Sequence, residues 1–199
     1  MKRALMPVFF IALSSQITTQ AQDSTDYYYQ IPENPNEYTA TTVAARFIDG
    51  LGFRYYWASE GLRSEDLAYR TTEEARSIRE TVEHIYGLSL TFVDAITKED
   101  NLGPGDVSEL SYQELRSKTL KNIQRSGQLL KSAKTGDIDE YSIIFVRGDF
   151  RSEYPYWNMI NGPIADAMYH TGQIVTLRRA SGNPIKSGVN VLVGRYNPG

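Results

Sequence analysis

The chain has 199 residues, enough for one domain with an ordinary core, and its 41% hydrophobic and 23% charged residues are those of a soluble globular protein. A formal charge of −3 and a pI near 5.5 speak against a nucleic-acid binder, which needs a basic surface to release counterions from phosphate. With no cysteine, the chain has no disulfide, no thiolate of its own and no lipid on an N-terminal cysteine, so thiol chemistry needs a thiol carried in by a ligand.

Along the chain, Lys2 and Arg3 precede a mostly apolar run over 5–13, and Thr19-Gln20-Ala21 offers small residues before a cut. This three-part pattern predicts a secretory signal over 1–21. The apolar run is shorter than the roughly 20 residues of a spanning helix, so no stable membrane span is expected after cleavage; an uncleaved N-terminal anchor is the other reading. Cleavage after Ala21 leaves 178 residues with a formal charge of −5, exported to a periplasm or beyond the cell. Residues 22–37, polar and proline-containing, read as an extended or poorly ordered lead, and 38–199 as the folded domain.

The first helix is predicted over about 39–62, with Val43, Phe47, Leu51, Tyr55 and Leu62 at helical spacing. Tyr55, Tyr56 and Trp57 either wall a pocket or fill the core. Thr71 or Thr72 is the expected cap of a second helix, and Ile78, Val82, Ile85, Phe92 and Ile96 form its apolar stripe. It ends before the breaker Asn101-Leu102-Gly103-Pro104-Gly105. Ser111 and Glu114, three apart, predict a capping box at the start of a third helix. Ile143-Ile144-Phe145-Val146 fits a short strand or an apolar loop. The fourth helix is expected within 157–181, with Pro163 opening its main part, and the strand-like 189–193 is expected to lie against the bundle. These elements predict an all-α fold: an up-down four-helix bundle with a short extended C-terminal segment.

Both histidines, His84 and His170, fall beside apolar stripes, on the second and fourth helices. Asp166 precedes His170 by four residues and so shares its helix face. Two imidazoles and a carboxylate converging across a bundle make a divalent-metal site with open positions. Gln173, three residues beyond His170, is placed to orient a bound water or ligand, and Glu80, one turn before His84, to support an imidazole or add a ligand. The alternative is a metal-free hydrogen bond between Asp166 and His170. Arg178-Arg179 suit the negative end of the fourth helix and are the candidate anion binders.

The segment NGPIADAMYHTGQIVTLRRASGNP over 161–184 resembles the last helix of DinB-like proteins, in which a histidine is followed by Gly-Gln-Ile and then an arginine and a glycine. Glu80-Thr-Val-Glu-His84 is similar to the histidine-bearing second helix of that family, and the likeness spans about 40–185. The resemblance implies a DinB-like four-helix bundle, often dimeric, whose divalent metal is held by three histidines. His84 and His170 match two of them, and Asp166 stands at the third. Zinc, nickel, manganese and iron all suit this donor set. Family activities are metal-dependent transfers or isomerisations with a low-molecular-weight thiol, and some hydrolyses. The expectation is therefore an exported metal-dependent hydrolase or transferase of a small molecule. The rivals are a non-catalytic bundle that binds a small ligand or metal, and an interaction module that dimerises through a bundle face.

Overall fold

The computed structural model describes residues 27–198. The predicted signal over 1–21 and the first part of the predicted lead lie outside the described residues. Each long helix before the C-terminal third opens on a reciprocal capping box. Thr39 and Thr42 open α1 (Ala40–Ser59), Ser77 and Glu80 open α3 (Ile78–Thr97), and Ser111 and Glu114 open α4 (Tyr112–Ser132); the short α2 (Ser64–Ala68) lies between the first two. Each box satisfies two N–H groups that have no partner inside the helix. The Ser111 box stands where the sequence puts it. The cap of α3 falls at Ser77 and not at Thr71 or Thr72, because Ala75 N donates to Thr72 O at 3.2 Å and closes a separate turn first.

The α4 helix packs on both α1 and α3, and the last long helix, α6 (Ala165–Ala180), packs on the same two. The core between them is filled by Ile48, Leu51, Phe53 and Tyr55 from α1, Val82, Ile85 and Phe92 from α3, Leu115, Leu120 and Ile123 from α4, and Ile174 from α6. The apolar stripe predicted for the second helix is buried as read. That of the first is not: Val43 is 43% and Phe47 53% exposed, and the buried face runs through Ala44, Ala45 and Ile48. A strict spacing of four residues advances about 40° per step around a 3.6-residue helix, so a stripe anchored on Leu51 and Tyr55 has rotated outward by Val43. Tyr55, Tyr56 and Trp57 are all buried and belong to the core.

The fold is not all-α, which corrects the sequence expectation. A 3₁₀ turn (Thr135–Glu140) follows α4 and leads into β1 (Ser142–Arg147), which pairs antiparallel with β2 (Phe150–Pro155). A second two-stranded antiparallel ribbon joins β3 (Val189–Asn190) to β4 (Arg195–Tyr196). The molecule is thus a mix of helix and sheet, mostly helical. The β1–β2 hairpin forms because Gly148, at φ 59°, takes the left-handed conformation that a two-residue hairpin loop requires. Asn101 fastens it to the end of α3: Asn101 N donates to Ile144 O at 2.7 Å and Val146 N to Asn101 O at 3.1 Å.

The chain enters α6 through α5 (Trp157–Met159) and a π turn (Ile160–Ile164). The turn breaks at Gly162, whose φ −101° and ψ −105° are not helical, and Pro163 follows without an N–H to give. Within the predicted lead, Tyr28 is fully buried, and Ile31 N donates to Gly194 O at 2.9 Å. No helix among the described residues is long and apolar enough to cross a membrane.

Candidate metal centre

His84, Asp166 and His170 meet where α3 packs against α6. His84 stands beside the buried Ile85, on the flank of the apolar stripe of α3. His170 is itself in the buried row of α6, between Ala167 and Ile174. The break at Gly162 restarts the helix, so Asp166 falls in the first turn of α6. Single π turns of this kind are frequent at functional sites.

One ligand atom from each residue lies within 4.8 Å of the other two. Asp166 Oδ2 is 2.9 Å from His84 Nε2, and Asp166 Oδ1 is 3.3 Å from His170 Nε2. The imidazole planes stand at 88° with centroids 4.6 Å apart. Two ligands on a tetrahedral ion at bonds of about 2.1 Å are separated by about 3.4 Å, which the His170 gap matches, while the shorter His84 gap, to the other carboxylate oxygen, is that of a direct hydrogen bond. The side chain of His170 is 9% exposed, against 32% for His84 and 42% for Asp166, so the group is rooted in the core and open toward water on the carboxylate side.

The hydrogen bonds fix the tautomer of His170. Its Nδ1 lies 2.6 Å from Gln173 Oε1, an oxygen that only accepts, so Nδ1 carries a proton and Nε2 is turned toward Asp166 Oδ1. In the neutral ring that nitrogen faces a carboxylate oxygen with only the long 3.5 Å approach of Arg76 Nη1 as donor, an arrangement that a cation between the two acceptors satisfies. Gln173, expected to orient a bound water or ligand, instead meets the imidazole of His170 directly. Glu80 is engaged elsewhere: its Oε2 accepts from Ser77 N at 2.7 Å and Ser77 Oγ at 2.9 Å and pairs with Arg70 at 3.2 Å. Those bonds hold its carboxyl below the ordinary range, Ser77 N–H first. It is the N-terminal lock of α3 and touches no imidazole.

Sequence reasoning did not single out Arg76, whose Nη1 is 3.5 Å from His170 Nε2. Nothing in the primary pattern pairs a residue in the loop before α3 with one on α6. Arg76, His170, Gln173, Tyr169 and Thr176 line an open groove of about 790 Å³ beside the triad. Two other clefts run along the outer face of α1, around Val43 and Phe47, and contain no triad residue. Arg178, read as an anion binder, is buried instead: its Nη1 donates to the carbonyls of Ala58 and Glu60, both at 2.9 Å, and caps the end of α1. No protein-family model matches the chain, and no curated protein matches it.

Proposed function

We propose that this chain is an exported, divalent-metal-dependent enzyme of the DinB-like type that hydrolyses a small molecule or transfers a group from it, with His84, Asp166 and His170 as metal ligands. The observation that carries the reading is the convergence of a carboxylate and two imidazoles with His170 Nε2 already aimed at the carboxylate by Gln173. A divalent ion bound there supplies Lewis acidity, polarising a substrate oxygen and making a nucleophile available near neutral pH. The protein's own share is positional. Gln173 holds the proton on Nδ1 of His170, the core wall around Ile85 and Ile174 excludes water from behind, and the open carboxylate side admits substrate. Hydrolysis suits an exported setting better than thiol transfer, since low-molecular-weight thiol cofactors are mainly cytoplasmic. Export itself rests on the 1–21 pattern.

The second reading is a non-catalytic bundle that binds a metal or small ligand. It is favoured by the engagement of Glu80 in the α3 cap, which takes the carboxylate expected beside His84 away from the triad. Elemental analysis of chelator-free protein tests the metal: about one equivalent, lost in both Asp166→Ala and His170→Ala with the circular-dichroism spectrum unchanged, is the expected result. Metal-free wild-type protein that also takes up none of zinc, nickel, manganese or iron would sink the reading. Ester, amide and phosphoester screens on loaded protein then divide the enzyme from the binding protein.

A further inference from the structure

Among the described residues Arg76 is the one cationic side chain lining the groove beside the triad, and its company is unusual. The arginines around it are each held by a carboxylate: Arg70 by Glu80 at 3.2 Å and Arg79 by Glu83 at 2.6 Å. Among the described residues no carboxylate lies within 4.0 Å of the Arg76 guanidinium, and its single polar contact is the 3.5 Å approach to His170 Nε2, at the outer limit of a hydrogen bond. That approach cannot persist in loaded protein, because the Nε2 lone pair it needs is the one given to the ion. The guanidinium then lines the groove a few ångströms from a second positive charge, with no carboxylate among the described residues in direct contact with it, since the nearby Asp166 is given to the ion. An oxyanion between the two relieves this. It offers two oxygens to the planar fork of the guanidinium and turns the same group toward the ion.

We propose that Arg76 is the substrate anchor of this site and that the groove takes small molecules bearing an oxyanion group, a carboxylate or a phosphonate-like ester, next to the reacting bond. This rests on the metal reading above. Tyr169 and Thr176 line the same groove, with Tyr169 64% exposed, so the anion's organic remainder has an aromatic face to lie on. The guanidinium takes a carboxylate or a phosphonate in the same two-point geometry.

The test uses full-length mature protein loaded with cobalt(II), whose visible absorption reports both the ion and what approaches it. Acetate is titrated in one arm and methylphosphonate in the other. Wild-type protein is expected to show a saturable spectral change with at least one of them, and the arm that saturates at lower concentration names the source. Arg76→Ala is expected to weaken that anion by about ten- to a hundredfold, the range for losing a charged hydrogen-bonded partner. It should bind cobalt as tightly as wild type or tighter, since a neighbouring positive charge is gone. Arg76→Lys should recover only part of the loss, having charge without the fork. Unchanged anion affinity in Arg76→Ala with cobalt still bound overturns the anchor and leaves the metal centre standing. Absence of any cobalt spectrum in wild type overturns both.

Discussion

Gln173 sets which nitrogen of His170 is available, and a single amide oxygen 2.6 Å away is enough to do it. Losing such a partner frees the ring to rotate and to exchange tautomers, and typically costs ten- to a hundredfold in metal affinity. Gln173→Leu keeps the bulk and removes the acceptor, so it should weaken metal binding by that factor while the fold stays intact. Gln173→Glu keeps an acceptor and should bind at least as tightly as wild type. Competition against a chromophoric chelator measures both; equal affinities in the wild type and the leucine variant would show that the amide does not orient the ring. The contrast with Glu80 is instructive because the two residues looked alike in sequence, each one helical turn from a histidine. The difference is that Glu80 is the third residue of α3, where the N–H and hydroxyl of Ser77 compete for its carboxylate.

That competition belongs to the helix, and it gives a prediction at the scale of the element. Ser77→Ala removes the acceptor for Glu80 N and the hydroxyl that binds Glu80 Oε2, and should destabilise the protein by about 1 kcal/mol, the usual cost of an N-cap. In a chain of this size that lowers the thermal midpoint by about 2–4 °C. Metal affinity should not change, since His84 lies two turns further along the helix; a fall in affinity comparable to that of Gln173→Leu would mean that the cap positions His84. The elements differ in how plainly they were written. The α3 stripe and the Ser111 box were legible because each is a local pattern whose period or spacing is its own signature. The sequence does not decide the β1–β2 hairpin although Gly148-Asp149 is a two-residue loop of the right kind, because four consecutive apolar residues carry no period to choose strand over loop. Of the site, the Asp166–His170 pair was readable from spacing of four on one helix, and His84 from its place beside a stripe. Arg76 was not, since its meeting with His170 spans 94 positions and depends on how two helices dock.

At the scale of the whole molecule, two polar clusters join distant segments. Asp66 is fully buried between α2 and the end of α6. Arg63 grips it with Nε at 2.9 Å and Nη2 at 2.8 Å, Ser181 Oγ donates at 2.5 Å and Asn183 Nδ2 at 2.6 Å. The Arg63 fork, then Ser181 and Asn183, hold its carboxyl well below the usual carboxylate range. A depressed folded value means that the stabilisation is complete above the unfolded value of about 3.9 and is lost as pH falls from there toward the folded one. Urea midpoints measured from pH 6 to pH 2 should therefore drop below pH 4 in wild type and drop less in Asp66→Asn, which starts lower. Parallel curves would remove Asp66 from the acid response. The second cluster docks the N-terminal lead. Tyr28 sits against Gly52 of α1, where an added Cβ would lie 2.4 Å from its ring, and its phenol donates to the buried Asp49 at 3.1 Å. Burial raises the Asp49 carboxyl, and Lys131 Nζ at 2.6 Å and the Tyr28 phenol draw it back down. The fit makes one substitution change sign with its background. With Tyr28 present, Gly52→Ala forces the ring from its notch, an overpacking that costs about 1–3 kcal/mol. With Tyr28→Ala already made, the notch is empty, and the same change should stabilise α1 by up to about 1 kcal/mol, the helical advantage of alanine over glycine. A four-member urea cycle reads both legs and their coupling. If Gly52→Ala shifts stability equally in the two backgrounds, Tyr28 does not fill that notch in solution, and the lead is not part of the folded core.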